Sequence, residues 1–255
     1  MKKAKHALPR QKAEKPFPFM ELPPELRDII YEMTLVDDNG ILLMSRTKGY
    51  RRGVVRCTYD PAEWHYTQRV LEKGETNRGI VSKELVPNLL AVSKQIHHEA
   101  VDMLYGQDLM FRDTDALHRF LTIIGHRNSQ RLLSIDIKEL CQGKIKQTLN
   151  HCAFMSLTTA TKLKALHLPI DDFTHYTCAK NLARGLFCMA HFFLEAYGVA
   201  NGRRDAAVDV IQLDDEIFGR FQASWRGNAR VVKQHTAEEN QAIVRAELCR
   251  LLGAN

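Results

Sequence analysis

Long apolar runs are missing from this chain. No stretch of eighteen apolar residues occurs, so a membrane-spanning helix is not expected. The most apolar segment, Gly185 to Leu194, is too short for a bilayer and reads as a buried helix. Residues 1–18 lack the apolar core of a secretory signal and hold Lys, Pro and few aliphatics, the composition of a disordered tail. Cysteine is sparse and scattered: six residues, at 57, 141, 152, 178, 188 and 249, none in a C-x-x-C, and no N-x-[ST] sequon accompanies them. Reduced, mainly structural thiols and an intracellular location, cytoplasmic or nuclear, are therefore expected. G-x-G-x-x-G, G-x-x-x-x-G-K-[ST] and G-x-S-x-G are also absent, which removes the usual sequence signs of nucleotide loops and nucleophile elbows.

What is present fits a globular protein. The chain has 255 residues, 45% apolar and 26% charged, enough for one large or two small domains. Of the formal charge of +6, residues 1–15 contribute +5: Lys2, Lys3, Lys5, Arg10, Lys12 and Lys15 against Glu14. The pI near 9.0 thus reflects a basic tail more than a basic fold.

Order is expected from Phe19. Leu22, Leu26, Ile29, Ile30 and Met33 share one helical stripe. Pro23 and Pro24 open that helix, where a missing N–H costs nothing, and Asp37 to Gly40 supply turn chemistry at its end. Ile41–Met44 and Val54–Tyr59 read as short strands joined by the basic turn Arg46–Gly53, a hairpin. Asp60–Lys83 is polar and reads as a loop. A second helix is predicted after an Asn88 N-cap, with Leu89, Val92, Ile96, Ala100 and Met103 on one face and Gly106 as a left-handed stop. Leu109–Arg112 reads as a strand, and a helix capped by Thr114 or Asp115 runs to Ile124.

Beyond Gly125 strands and helices alternate. Leu132–Ile137, Leu163–Leu168 and Val208–Leu213 resemble one another, with helices near Thr148–Thr161 and Ala179–Tyr197 in the gaps. That order favours right-handed crossovers and a parallel sheet, in an irregular arrangement like leucine-rich repeats. Three copies are too few to stand alone, so this part must pack on the first half. Thr236 and Glu239 form a capping box for a final helix that ends before Gly253.

Two segments together carry a family resemblance: Phe19-Met20-Glu21-Leu22-Pro23-Pro24-Glu25-Leu26-Arg27-Asp28-Ile29-Ile30-Tyr31, and Leu89-Leu90-Ala91-Val92-Ser93-Lys94-Gln95-Ile96-His97-His98-Glu99-Ala100 with Leu104-Tyr105-Gly106. The pair resembles a group of fungal F-box-like proteins over roughly residues 19–137. The sequence as a whole reads as an α+β protein: a disordered basic tail (1–18), a unit (19–125) that the resemblance makes F-box-like and helical with an inserted β-hairpin, and a strand–helix region packed on it (126–255). The resemblance also implies docking on the small adaptor of a cullin–RING ubiquitin ligase through Leu22, Pro23, Leu26 and Ile30, completed by Leu89, Leu90, Val92 and Ile96. The chain departs from a compact F-box by the roughly 50 residues between its two helices.

Catalytic and metal motifs are weak. His98-Glu99 is followed by Asp102 where a zinc protease needs His. His175, Cys178, Cys188 and His191 have the donor types for zinc but lie among apolar neighbours, where cysteine is a common core residue. Asp171-Asp172 and Asp214-Asp215-Glu216 follow predicted strands and serve equally as turn or cap residues. No cofactor, no catalytic residue, no specific nucleic-acid module and no membrane partner are expected. The sequence points to a non-catalytic protein–protein interaction role, with a substrate-recognition subunit of a ubiquitin ligase as the specific form. A stand-alone binding scaffold is the alternative, and a metal-binding protein or hydrolase a remoter one.

Overall fold

The structure is a computed structural model that describes residues 17–57, 83–140, 144–169, 178–213, 218 and 235–254. The basic tail, nearly all of the 60–83 loop, His175 and both acidic groups after the strands lie outside the described residues.

The protein is α+β. Among the described residues its strands are β1 (Ile41–Lys48), β2 (Arg51–Arg56), β3 (Asp108–Asp113), β4 (Ser134–Glu139), β5 (Ala165–Leu168) and β6 (Ile211–Leu213). They form one sheet in the order β2-β1-β3-β4-β5-β6. Only β1 and β2 are antiparallel; every other neighbouring pair is parallel. Each parallel step needs a crossover. The crossovers carry α2 (Lys94–Tyr105) before β3, α3 (Thr114–Ser129) before β4, α4 (Lys144–Ser156) before β5, and α5 (Ala179–Ala200) with α6 (Ala206–Val210) before β6. α1 (Pro24–Leu35) precedes the sheet and α7 (Ala237–Leu251) follows it.

Strand periodicity explains the layering. Leu109 and Phe111, Ile135 and Ile137, and Leu166 and Leu168 alternate inward and are buried under the helices. They meet Leu117, Leu121, Phe154, Leu157, Leu186 and Phe193 in the main core. The opposite sheet face is mostly polar past β3. The register aligns Leu42, Met110, Asp136, His167 and Gln212 in one row across five strands. The apolar segment 185–194 is a stretch of α5 with Leu186, Ala190, Phe193 and Leu194 buried, as its composition suggests. Among the described residues no helix is long and apolar enough to cross a membrane.

Several local expectations are corrected. The hairpin strands extend to a two-residue turn, Gly49-Tyr50, with Gly49 at φ +61, the first-position glycine of a type II′ turn. Asn88 sits in a 3-10 turn (Pro87–Ala91); α2 starts at Lys94, where Ser93 Oγ accepts from the Ile96 N–H at 3.1 Å. A serine that can turn its hydroxyl back on the first turn outcompetes the earlier cap. Gly106 has φ −84 and is no left-handed stop. α3 is capped by Asp113, whose carboxylate accepts from the Ala116 N–H at 2.7 Å, and it continues through a kink at Gly125 (φ +72) to Ser129. Val208–Val210 is helical, not extended: the Ala206-Ala207 start favours a helical turn packed on α5, which overrides the strand preference of the valines. The 19–125 and 126–255 regions share one sheet, joined by the β3–β4 pair, and one core runs through both.

Candidate functional site

α1 presents an unusual division of its surface. Proline at the first helical position and Glu25 in the first turn favour initiation after Pro23. The residues it buries are Arg27, Tyr31 and Leu35, a stripe at four-residue spacing. Leu26, Ile29 and Met33 lie on the other side and are exposed at 48%, 52% and 63%. Apolar residues at helical spacing ordinarily face a core, but these three point outward. Glu25, Asp28 and Glu32, all exposed, run along one flank of it. At the other end Val86, 48% exposed, donates its N–H to the Thr34 carbonyl at 2.9 Å and so adjoins α1.

A polar clamp allows this inversion. Arg27 Nη1 donates to the Met20 and Leu22 carbonyls, each at 3.1 Å, closing the preceding 3-10 turn (Phe19–Glu21). Arg27 Nη2 donates to Glu99 Oε1 at 3.1 Å, and Tyr31 OH donates to Glu99 Oε2 at 2.8 Å. Glu99, on α2, thus takes one donor from each of two α1 turns. Burial, and next the Glu99 bond, push the Tyr31 hydroxyl up to about 12. Hydrogen bonds from Gln95 and then Tyr31 hold the Glu99 carboxyl below the usual range. Around the clamp, Tyr31, Leu35, Ile96 and Ala100 form a small core separate from the main one.

Further polar bonds fix α1 against the sheet. Gln107 Nε2 donates to the Leu35 and Leu104 carbonyls, each at 2.9 Å, and Gln107 Oε1 accepts from the Asp37 N–H at 2.9 Å. Lys83 Nζ donates to the Glu32 and Val36 carbonyls at 3.1 and 2.9 Å, which satisfies groups a helix C-terminus leaves open. Buried Asp37 pairs with Arg56 of β2. Exposed side chains on α1 are thus displayed from a rigid support.

The eight residues implicated by the resemblance are split. Pro23, Leu26 and Val92 are exposed, Val92 at 69%. Leu22, Ile30, Leu89 and Leu90 are half-buried, and Leu89 and Leu90 pack on the small core. Ile96 is buried within that core and meets α1, not solvent. Ile29 and Met33 belong to the outward face although the F-box motif does not single them out; their place in the same helical stripe as Leu26 is the signal that finds them.

Other candidate chemistry is dispersed. Cys178 and Cys188 are both exposed and lie ten residues apart along α5, about 15 Å at the helical rise, too far to share one ion. Among the described residues no three His, Cys, Asp or Glu gather as a metal site. A cleft of about 430 Å³ lies between β6 and α7, lined by Val208, Ile211, Leu213, Gln241, Val244 and Arg245.

Residues 11–145, more than half of the chain, match the family described as Domain of unknown function (DUF7730). No curated protein and no solved structure matches.

Proposed function

The chain belongs to the DUF7730 family, and we propose that it is a non-catalytic, F-box-like interaction protein whose α1 docks on a ubiquitin-ligase adaptor. The observation that carries the reading is the outward stripe of Leu26, Ile29 and Met33 on a helix that begins Leu22-Pro23-Pro24-Glu25-Leu26. Isolated exposed apolar residues are ordinary, but three on one helical face form the kind of patch that marks a protein contact. A helix face of this kind reads its partner through anchors at i, i+3 and i+7. The open, mostly polar sheet face of β4 to β6 offers a separate surface for a target held by the second half of the chain.

Co-purification of the full chain with a cullin–RING adaptor tests this. A Leu26→Asp, Ile29→Asp variant changes side chains that are half exposed, so its melting temperature should stay within about 2 °C of the parent. Retention of the adaptor by the parent and its loss by the folded variant is the expected outcome. A folded parent that captures no adaptor, or a variant that captures it equally well, overturns the proposal.

A stand-alone scaffold is the second reading. It is favoured by the packing of Ile96, Leu89 and Leu90 into the small core, which leaves only part of the implied docking set available. Stable binding of another protein with no adaptor present would select it.

A further inference from the structure

The β1–β2 hairpin leaves the body of the protein. β1 pairs with β3 only at Ile41–Leu43, whereas its pairing with β2 continues from Met44↔Val55 to Lys48↔Arg51. Ser45 Oγ still donates to Asp113 Oδ2 of β3 at 3.1 Å. Beyond it, residues 46–52 are all exposed. They include Arg46, Lys48, Arg51 and Arg52 and no acidic residue. Among the described residues no carboxylate lies within ion-pair distance of these four cations. Tyr50, in the turn, is fully exposed, at 106% of its reference surface. Strand alternation and the register put Arg46, Lys48 and Arg51 on one face of the ribbon and Arg52 with Thr47 on the other. The result is a cationic two-stranded prong, about 10 Å from Arg46 to its tip at the rise of a strand.

We propose that this prong binds duplex DNA by entering the major groove and contacting phosphates on both walls. A two-stranded ribbon fits a groove about 12 Å wide. Cations on both faces suit two phosphate rows, whereas a flat anionic membrane meets one face only. The tip also lacks the apolar anchors a lipid interface rewards, offering one aromatic and a glycine. Three of the four cations are arginines, whose planar fork matches phosphate oxygens in a bidentate way. Contacts of these cations with phosphate position the prong without reading base edges, so binding is backbone-led. This site is independent of α1 and of adaptor docking.

The test uses the full chain and a short labelled DNA duplex, with anisotropy followed through a salt series. The basic tail is a second source of charge, so two variants separate them. One is Arg46→Gln, Lys48→Gln, Arg51→Gln, Arg52→Gln; the other neutralises Lys2, Lys3, Lys5 and Lys12 to Gln. Each phosphate contact contributes about 0.9 to the log–log salt slope, so the prong variant should flatten it by roughly 3 and weaken binding roughly tenfold or more. The tail variant should keep the prong's share, and a charge-retaining Arg46→Lys, Arg51→Lys, Arg52→Lys variant should keep most of the slope. The Arg51→Gln, Arg52→Gln pair gives about half the slope change and serves if the fourfold variant does not fold. Circular dichroism verifies folding. An unchanged slope and affinity in the folded prong variant, no duplex binding by the parent, or tighter binding of phosphatidylserine vesicles than of duplex would each overturn the proposal.

Discussion

At the scale of single residues, Tyr31 is the most informative position. Its ring is fully buried between α1 and α2, with Phe19 at 5.8 Å between centroids, and its hydroxyl meets a carboxylate. A hydrogen bond to a charged group contributes about 1.5–3 kcal/mol. Tyr31→Phe should therefore lower unfolding stability by about that amount in denaturant titration, with little change in shape, because the ring remains. No loss would mean that Glu99 is satisfied by Arg27 and Gln95 alone. Sequence periodicity placed Leu26 and Met33 on one stripe correctly. It could not orient the stripe, because the alternative stripe holds Arg27, which ordinarily favours water. The Met20 and Leu22 carbonyls satisfy part of the guanidinium, but its charge is met by Glu99, 72 positions away, and that pairing has no local signal.

Elements were legible where their ends carry their own chemistry. Thr236 and Glu239 form the expected capping box, with the Glu239 N–H donating to Thr236 Oγ1 at 3.2 Å and the Thr236 N–H donating to Glu239 Oε2 at 2.9 Å. The α5 span was likewise visible as a continuous apolar stretch. α6 was not visible, since a five-residue segment is too short to distinguish helix from strand by period alone. The α5–α6 junction rests instead on close packing. A β-carbon on Gly198 would lie 2.9 Å from the Arg204 carbonyl oxygen and 3.1 Å from that of Arg203. Both are backbone atoms, so the returning chain itself must move. Gly198→Ala is expected to cost about 1–3 kcal/mol. The measurement is thermal unfolding of the single variant; a neutral or stabilised protein would show that the junction yields.

For the whole molecule, pH reports on the carboxylates that tie helices together. Glu247 on α7 accepts from Arg184 of α5 at 3.0 Å and from Arg250 at 2.9 and 3.0 Å. Those bonds, Arg250 first, hold its carboxyl down to about 2. Glu99 is shifted in the same direction. A group whose folded value is depressed stabilises fully above its unfolded value and loses that contribution as pH falls toward the folded one. Melting temperature should therefore decline between about pH 4.5 and 2, and Glu247→Gln should make the decline shallower. Equal slopes in parent and variant would remove Glu247 from the account. Parallel topology was the global feature most readable in advance, because strand–helix alternation admits few connections. Incorporation of the hairpin into the same sheet was not readable, since it depends on three residues of β1 pairing with β3 across an interval of 65 positions or more.

The strand order has one more consequence. The family match stops at residue 145, just inside α4, but the hydrogen-bonded surface does not stop there, because β4 continues into β5 through Ser134↔Ala165, Ile135↔Leu166 and Asp136↔His167. The border of the family falls in the middle of a ladder. A chain built only to that border would carry β4 as a bare rim, its amides and carbonyls open to any passing strand. Here β5 and β6 cover that rim, and the edge of the sheet passes to β6, a strand of three residues. An excised segment ending at that border would need its edge covered by a loop, by a helix, or by the matching edge of a second molecule.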